Sequence, residues 1–82
     1  MIIIDVFCAE VNHNYDFQVD ETIRTEQVIS EIITLIIQKE HLSLERKRGN
    51  FILCDKIRGV ILANERTLAE NHVQYGDTLL LI

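Results

Sequence analysis

Apolar residues recur with a period of two near both ends of this chain and with a period close to that of a helix in its middle. The first stretch reads Ile2-Ile3-Ile4-Asp5-Val6-Phe7-Cys8. Asp5 sets its register, because a carboxylate in a half-buried strand faces water. Ile3 and Phe7 then turn outward with Asp5, while Ile2, Ile4, Val6 and Cys8 face a core. Asn12-His13-Asn14 has the composition of a turn. Beyond it Tyr15, Phe17 and Val19 alternate with Asp16, Gln18 and Asp20, the clearest period-two signal in the chain. The pattern predicts a hairpin over residues 1–20.

From about Arg24 to Glu40 the period changes. Val28, Ile29, Ile32, Ile33, Leu35, Ile36 and Ile37 form one wide apolar stripe, and Glu26, Ser30, Glu31, Thr34 and Gln38 are left for solvent. Thr22 and Thr25 are both candidate N-caps, and Glu26 puts negative charge where the helix dipole favours it. Isoleucine is a mediocre helix former, so this helix depends on docking. The stretch is too long for a strand in so small a domain.

The chain crosses over from His41 to Gly49. Phe51-Ile52-Leu53-Cys54 and Val60-Ile61-Leu62 then read as a second hairpin, joined by Asp55-Lys56-Ile57-Arg58-Gly59 with Gly59 supplying a positive φ. Leu68 to Asn71 suggests one helical turn. Gly76-Asp77 makes a tight turn into a last strand, Thr78-Leu79-Leu80-Leu81-Ile82, with Leu79 and Leu81 facing the core. The order of elements is that of an α+β β-grasp, the ubiquitin-like fold: a mixed sheet with one main helix packed on one face, in a single domain over residues 1–82.

Composition fits that size. A chain of 82 residues buries only about 60% of the surface it exposes unfolded. Its Ile, Leu and Val residues, at roughly 1.5–3 kcal/mol per buried side chain, offset chain entropy without a metal or disulfide. Cys8 and Cys54 lie in apolar runs without Cys-x-x-Cys spacing, and are expected to be buried and reduced. The opening apolar run is broken by Asp5 and lacks a basic flank, and no stretch approaches the ~20 apolar residues of a membrane span. A cytoplasmic protein is expected. The net charge of −5 argues against general nucleic-acid binding. Acids concentrate in residues 1–45 and bases in residues 46–82, so the two sides of the domain are expected to differ in sign.

The ending Leu68, Val73, Gly76-Asp77, Thr78-Leu79-Leu80-Leu81, together with Tyr15-Asp16-Phe17-Gln18-Val19 and a helix opening near Val28-Ile29, resembles the YukD/EsaB family. Those are small bacterial ubiquitin-like proteins encoded with the WXG100 (ESX, type VII) secretion machinery. The resemblance covers essentially the whole chain. Gly76-Asp77-Thr78-Leu79 recurs in many β-grasp proteins and speaks for the superfamily; the free-standing length and an ending on the strand favour the family. It implies a non-enzymatic accessory component without catalytic residues or cofactor. The implied partners are the cytosolic parts of the machine's membrane proteins, with the FtsK/SpoIIIE-like ATPase a candidate, and recruitment to the inner face of the cell membrane follows.

Two other functions stay open. A modifier or sulphur carrier needs its carboxylate on an extended tail of small residues, whereas Ile82 is bulky, part of the last strand and not preceded by Gly-Gly. The other is a β-grasp regulatory domain unrelated to secretion. His13, His41 and His72 are scattered over separate loops with no paired nucleophile, phosphate loop or metal-ligand spacing, so no catalytic, cofactor or metal site is expected.

The face of the sheet turned away from the helix is the better candidate. Alternation puts Leu80 and Ile82 on it. In the neighbouring strand either Phe51 and Leu53 or Ile52 and Cys54 share that face. If Cys54 is buried, as its type prefers, then Phe51, Leu53, Leu80 and Ile82 form an exposed apolar patch for a protein partner, or for a second copy of the chain. Arg46, Lys47 and Arg48 read as a solvated loop, with electrostatic contact to an acidic partner or an anionic leaflet as the functional alternative.

Overall fold

The computed structural model describes residues 1–41 and 51–82. Strands β1 (Ile2–Cys8) and β2 (His13–Val19) form an antiparallel hairpin in which Ile4 pairs with Phe17 and Val6 with Tyr15. The register set by Asp5 holds: Ile4, Val6 and Cys8 are fully buried, and Ile3 is exposed. The reversal uses Asn12 at φ 53, a left-handed conformation that asparagine tolerates better than most residues.

Helix α1 (Thr25–Glu40) buries Val28, Ile29, Ile32, Ile33 and Ile36 in the same core as the inward faces of the strands. Neither threonine caps it. Arg24 occupies the N-cap position, and its backbone N–H donates to Gln27 Oε1 at 3.3 Å. The Thr22 hydroxyl donates instead to Asp20. Thr25 is fully buried in the first turn, where its hydroxyl donates to the Arg66 carbonyl at 2.8 Å and accepts from Asn71 Nδ2 at 3.0 Å. Leu35 departs from the predicted stripe and is 49% exposed. It lies at one rim of the buried arc, on the flank that overhangs β2.

Three strands follow: β3 (Leu53–Asp55), β4 (Val60–Ile61) and β5 (Thr78–Leu81). The sheet order is β2-β1-β5-β3-β4, with β5 parallel to β1 and every other neighbour antiparallel. Among the described residues, this five-stranded mixed sheet with one helix on its inner face is the α+β architecture of a β-grasp. Gly59 (φ +69) and Gly76 (φ +85) supply the left-handed residues of the turns that precede β4 and β5.

The segment between β4 and β5 contains the helical turn pinned by fully buried Leu68. Thr67 and Glu70 cap it reciprocally: Glu70 N–H donates to Thr67 Oγ1 at 3.0 Å and Thr67 N–H to Glu70 Oε1 at 2.9 Å. It closes with Val73 N–H donating to the Leu68 carbonyl and His72 N–H to that of Ala69, with His72 at φ 66. Asn71 ties this segment down. Its Nδ2 donates to the Ala63 and Thr67 carbonyls as well as to Thr25, and its Oδ1 accepts from Ala63 N–H.

Candidate functional site

The outer sheet face carries a row of apolar side chains aligned by strand pairing. Phe7 lies beside Leu80 in the parallel β1–β5 ladder, Leu80 opposite Cys54 in β5–β3, and Cys54 opposite Ile61 in β3–β4. Asn14 of β2 ends the row beyond Phe7. One step along the strands, Ile82 and Ile52 exchange both backbone hydrogen bonds, at 2.7 and 3.0 Å. Both also point outward, since their strand neighbours Leu81 and Leu53 are fully buried. Phe7, Leu80, Cys54 and Ile52 are half-buried, and Ile61 and Ile82 are exposed.

This arrangement corrects the expected patch. Leu80 and Ile82 lie on the outer face, but Phe51 is 7% exposed and Leu53 is fully buried, so neither belongs to it. Ile52 and Cys54 take their places, and Cys54 is accordingly half-buried while Cys8 is fully buried; both thiols are free. The physical reason is area: turning Phe51 and Leu53 inward removes more apolar surface from water than turning Ile52 and Cys54 inward. The same register also turns Asp55 toward the core, and that burial is compensated locally. Asp55 Oδ1 accepts from the backbone N–H groups of Ile57 and Arg58, and Oδ2 accepts from Arg58 Nε at 2.7 Å. These hydrogen bonds, the Arg58 backbone donor foremost, hold the Asp55 carboxyl below the ordinary aspartate value. The second arm of the Arg58 fork donates to the carbonyls of Asn71 and His72, each at 3.1 Å.

Acidic groups border the apolar row. Asp5 and Asp16 stand directly opposite each other on β1 and β2, one step from Phe7 and Asn14, and Thr78 is the next neighbour across the sheet. Neither carboxylate has an ion-pair partner among the described residues.

At the far end of the hairpin Tyr15 is 6% exposed. Its hydroxyl donates to Glu40 Oε2 at 2.9 Å, and Lys39 Nζ stands over its ring at 5.5 Å from the centroid. Burial, and then the bond to Glu40, push its phenol up to about 12. His13 packs beside the Tyr15 ring, His41 ends α1 and His72 closes the turn after Leu68. Among the described residues no His, Cys, Asp and Glu side chains gather into a group that could hold a metal ion, and no helix is long and apolar enough to cross a membrane. Arg46, Lys47 and Arg48 lie outside the described residues.

Ile52 and Cys54 are the alternative that strand alternation left open, and Phe7 and Ile61 are the members of the surface that the sequence pattern did not bring together with Leu80. Asp5 already turned Phe7 outward; only the parallel β1–β5 register, Phe7 against Leu80, joins it to the C-terminal strand. Neither a protein-family model nor a curated protein sequence matches this chain.

Proposed function

We propose that this chain is a non-enzymatic, ubiquitin-like protein-interaction module that binds its partner through the outer sheet face. The observation that carries this is the in-register apolar row Phe7–Leu80–Cys54–Ile61 with Ile52 and Ile82 beside it, on a face that no element of the described fold covers. The inward faces of the same strands already complete the core, so folding accounts for Leu79 and Leu81 but not for a continuous apolar surface on the other side. Contiguous apolar patches of this kind usually mark binding sites.

We further propose that the module serves a type VII secretion system as a cytoplasmic accessory component, held near the inner face of the membrane by the cytosolic part of a membrane protein such as the FtsK/SpoIIIE-like ATPase. This proposal rests on the resemblance carried by Leu68, Val73 and Gly76-Asp77-Thr78-Leu79-Leu80-Leu81. The test is affinity capture with the tagged chain from its native cells. Enrichment of membrane components of a WXG100 secretion machine is the expected result. Reproducible capture of other partners with none of those components overturns the assignment to secretion, and leaves the binding surface to be judged by substitutions at Leu80.

A further inference from the structure

Strand β2 forms one border of the sheet, and its free edge is a different surface from the apolar row. The backbone pattern shows which of its groups are unused. Asp5 N–H donates to the Asp77 carbonyl at 2.9 Å, Ala9 N–H to that of Leu81 at 3.1 Å, and the Ile3 carbonyl accepts from Gly76 N–H at 2.7 Å. Ile3, Asp5 and Ala9 therefore face β5, and the alternate residues Ile4, Val6 and Cys8 face β2. Their partners Phe17, Tyr15 and His13 turn their backbone groups toward β1. The N–H and C=O groups of Asn14, Asp16 and Gln18 consequently point off the sheet, with no backbone partner among the described residues. The opposite border, β4, is only two residues long.

A groove of about 390 Å³ runs beside the β2 edge, between it and the overhanging flank of α1, lined by Tyr15, Phe17, Leu35, Ile36 and Lys39. It gives the exposed Leu35 a place in the fold. A strand added about 4.8 Å beyond β2 would drop every second side chain into this groove and set the intervening ones on the outer face beside Asp16.

We propose that the β2 edge and this groove bind an extended peptide segment in which apolar and basic residues alternate. The apolar set would pack on Phe17 and Leu35. A lysine or arginine between them would meet Asp16 with Asp5 directly behind it, two carboxylates that oppose each other in the free chain and have no cation of their own among the described residues. The same charges argue against a second copy of this chain as the occupant. An antiparallel β2–β2 pairing that uses Asn14, Asp16 and Gln18 on both sides sets Asp16 against Asp16, with an Asp5 flanking each, and supplies no compensating base.

The experiment titrates the ¹⁵N-labelled full chain with a synthetic peptide of alternating valine and lysine, blocked at both ends, and with its valine–glutamate counterpart. The amides of Asn14, Asp16 and Gln18 are expected to shift and to gain protection from exchange with the lysine peptide. The glutamate peptide is expected to bind about tenfold more weakly or worse. Asp16→Lys should reverse that preference, and Leu35→Gln should weaken binding without changing it. No binding of the lysine peptide, equal binding of the two peptides, shifts confined to Phe7 and Leu80, or closure of the same edge by self-association as the chain is concentrated would each overturn the proposal.

Discussion

The Arg58 guanidinium reaches back three residues to Asp55, donating from Nε to Oδ2 at 2.7 Å, and so makes an inward-facing aspartate compatible with the core. Asp55 is 3% exposed and accepts two backbone N–H bonds as well, which fixes the turn between β3 and β4. A charged acceptor with several donors is worth more than a neutral one. Asp55→Asn is therefore expected to cost about 2 kcal/mol near neutral pH.

The pH dependence of that cost has a definite sign. Because the folded-state value of Asp55 lies below its ordinary 3.8, its contribution is complete above about pH 4 and is lost as the pH falls through the folded-state value. Urea unfolding of the parent and of Asp55→Asn should show a gap in stability at pH 7 that closes on acidification. A gap that stays constant into strong acid contradicts the role given to this carboxylate.

Ile32 is fully buried at the centre of the α1 stripe, and Glu31 is exposed on the opposite face. Ile32→Ala is expected to cost on the order of 2–5 kcal/mol, a large share of the stability of a domain this small. Glu31→Ala should change stability by no more than about 0.5 kcal/mol. Equal denaturation midpoints for the two variants would show that the helix docks on a different face.

The two thiols should separate by reactivity. Cys8 is fully buried between β2 and β5, whereas Cys54 is half-buried on the outer face between Leu80 and Ile61. A maleimide added to the native protein is expected to modify Cys54, and to reach Cys8 only when the chain unfolds. Mass analysis of the singly labelled species gives the answer; preferential labelling of Cys8 would reverse the register of β3 or β1.

The sequence reveals the fold wherever one residue leaves no alternative. Asp5 orients β1, Gly59 and Gly76 mark turns with positive φ, and the isoleucines of α1 define a helix too long to be a strand. Leu79 and Leu81 face inward as the alternation requires. Where two forces compete locally, the sequence is less transparent. In β3 the preference of cysteine for burial opposed the larger apolar area of Phe51 and Leu53, and area won. Asp55 masked that outcome, because a carboxylate next to a turn reads as solvent-facing until Arg58 is seen to satisfy it. Leu35 fails differently: it sits at the rim of the stripe, beside the edge strand β2, and stays exposed. The sequence pattern predicts a helical turn at Leu68 to Asn71 without its capping pair Thr67 and Glu70, and the hydrogen bonds of Asn71 to Thr25, Ala63 and Thr67 depend on tertiary contacts that no local pattern encodes.

Leu80 and Leu81 offer the most direct test, because they are neighbours in β5 with opposite faces: Leu81 is fully buried and Leu80 lies half-buried in the apolar row. Leu81→Ser removes a core side chain and leaves a hydroxyl in its place, at a cost of about 3–5 kcal/mol, enough to unfold much of the population. Leu80→Ser should stay within about 1 kcal/mol of the parent. The decisive measurement is partner capture from native extract by the folded Leu80→Ser variant, with a thermal melt of the same sample. The outer-face reading predicts a melt close to that of the parent and a loss of captured partner of roughly tenfold or more. It is contradicted if Leu80→Ser is as unstable as Leu81→Ser, or if the stable variant still captures every partner the parent does.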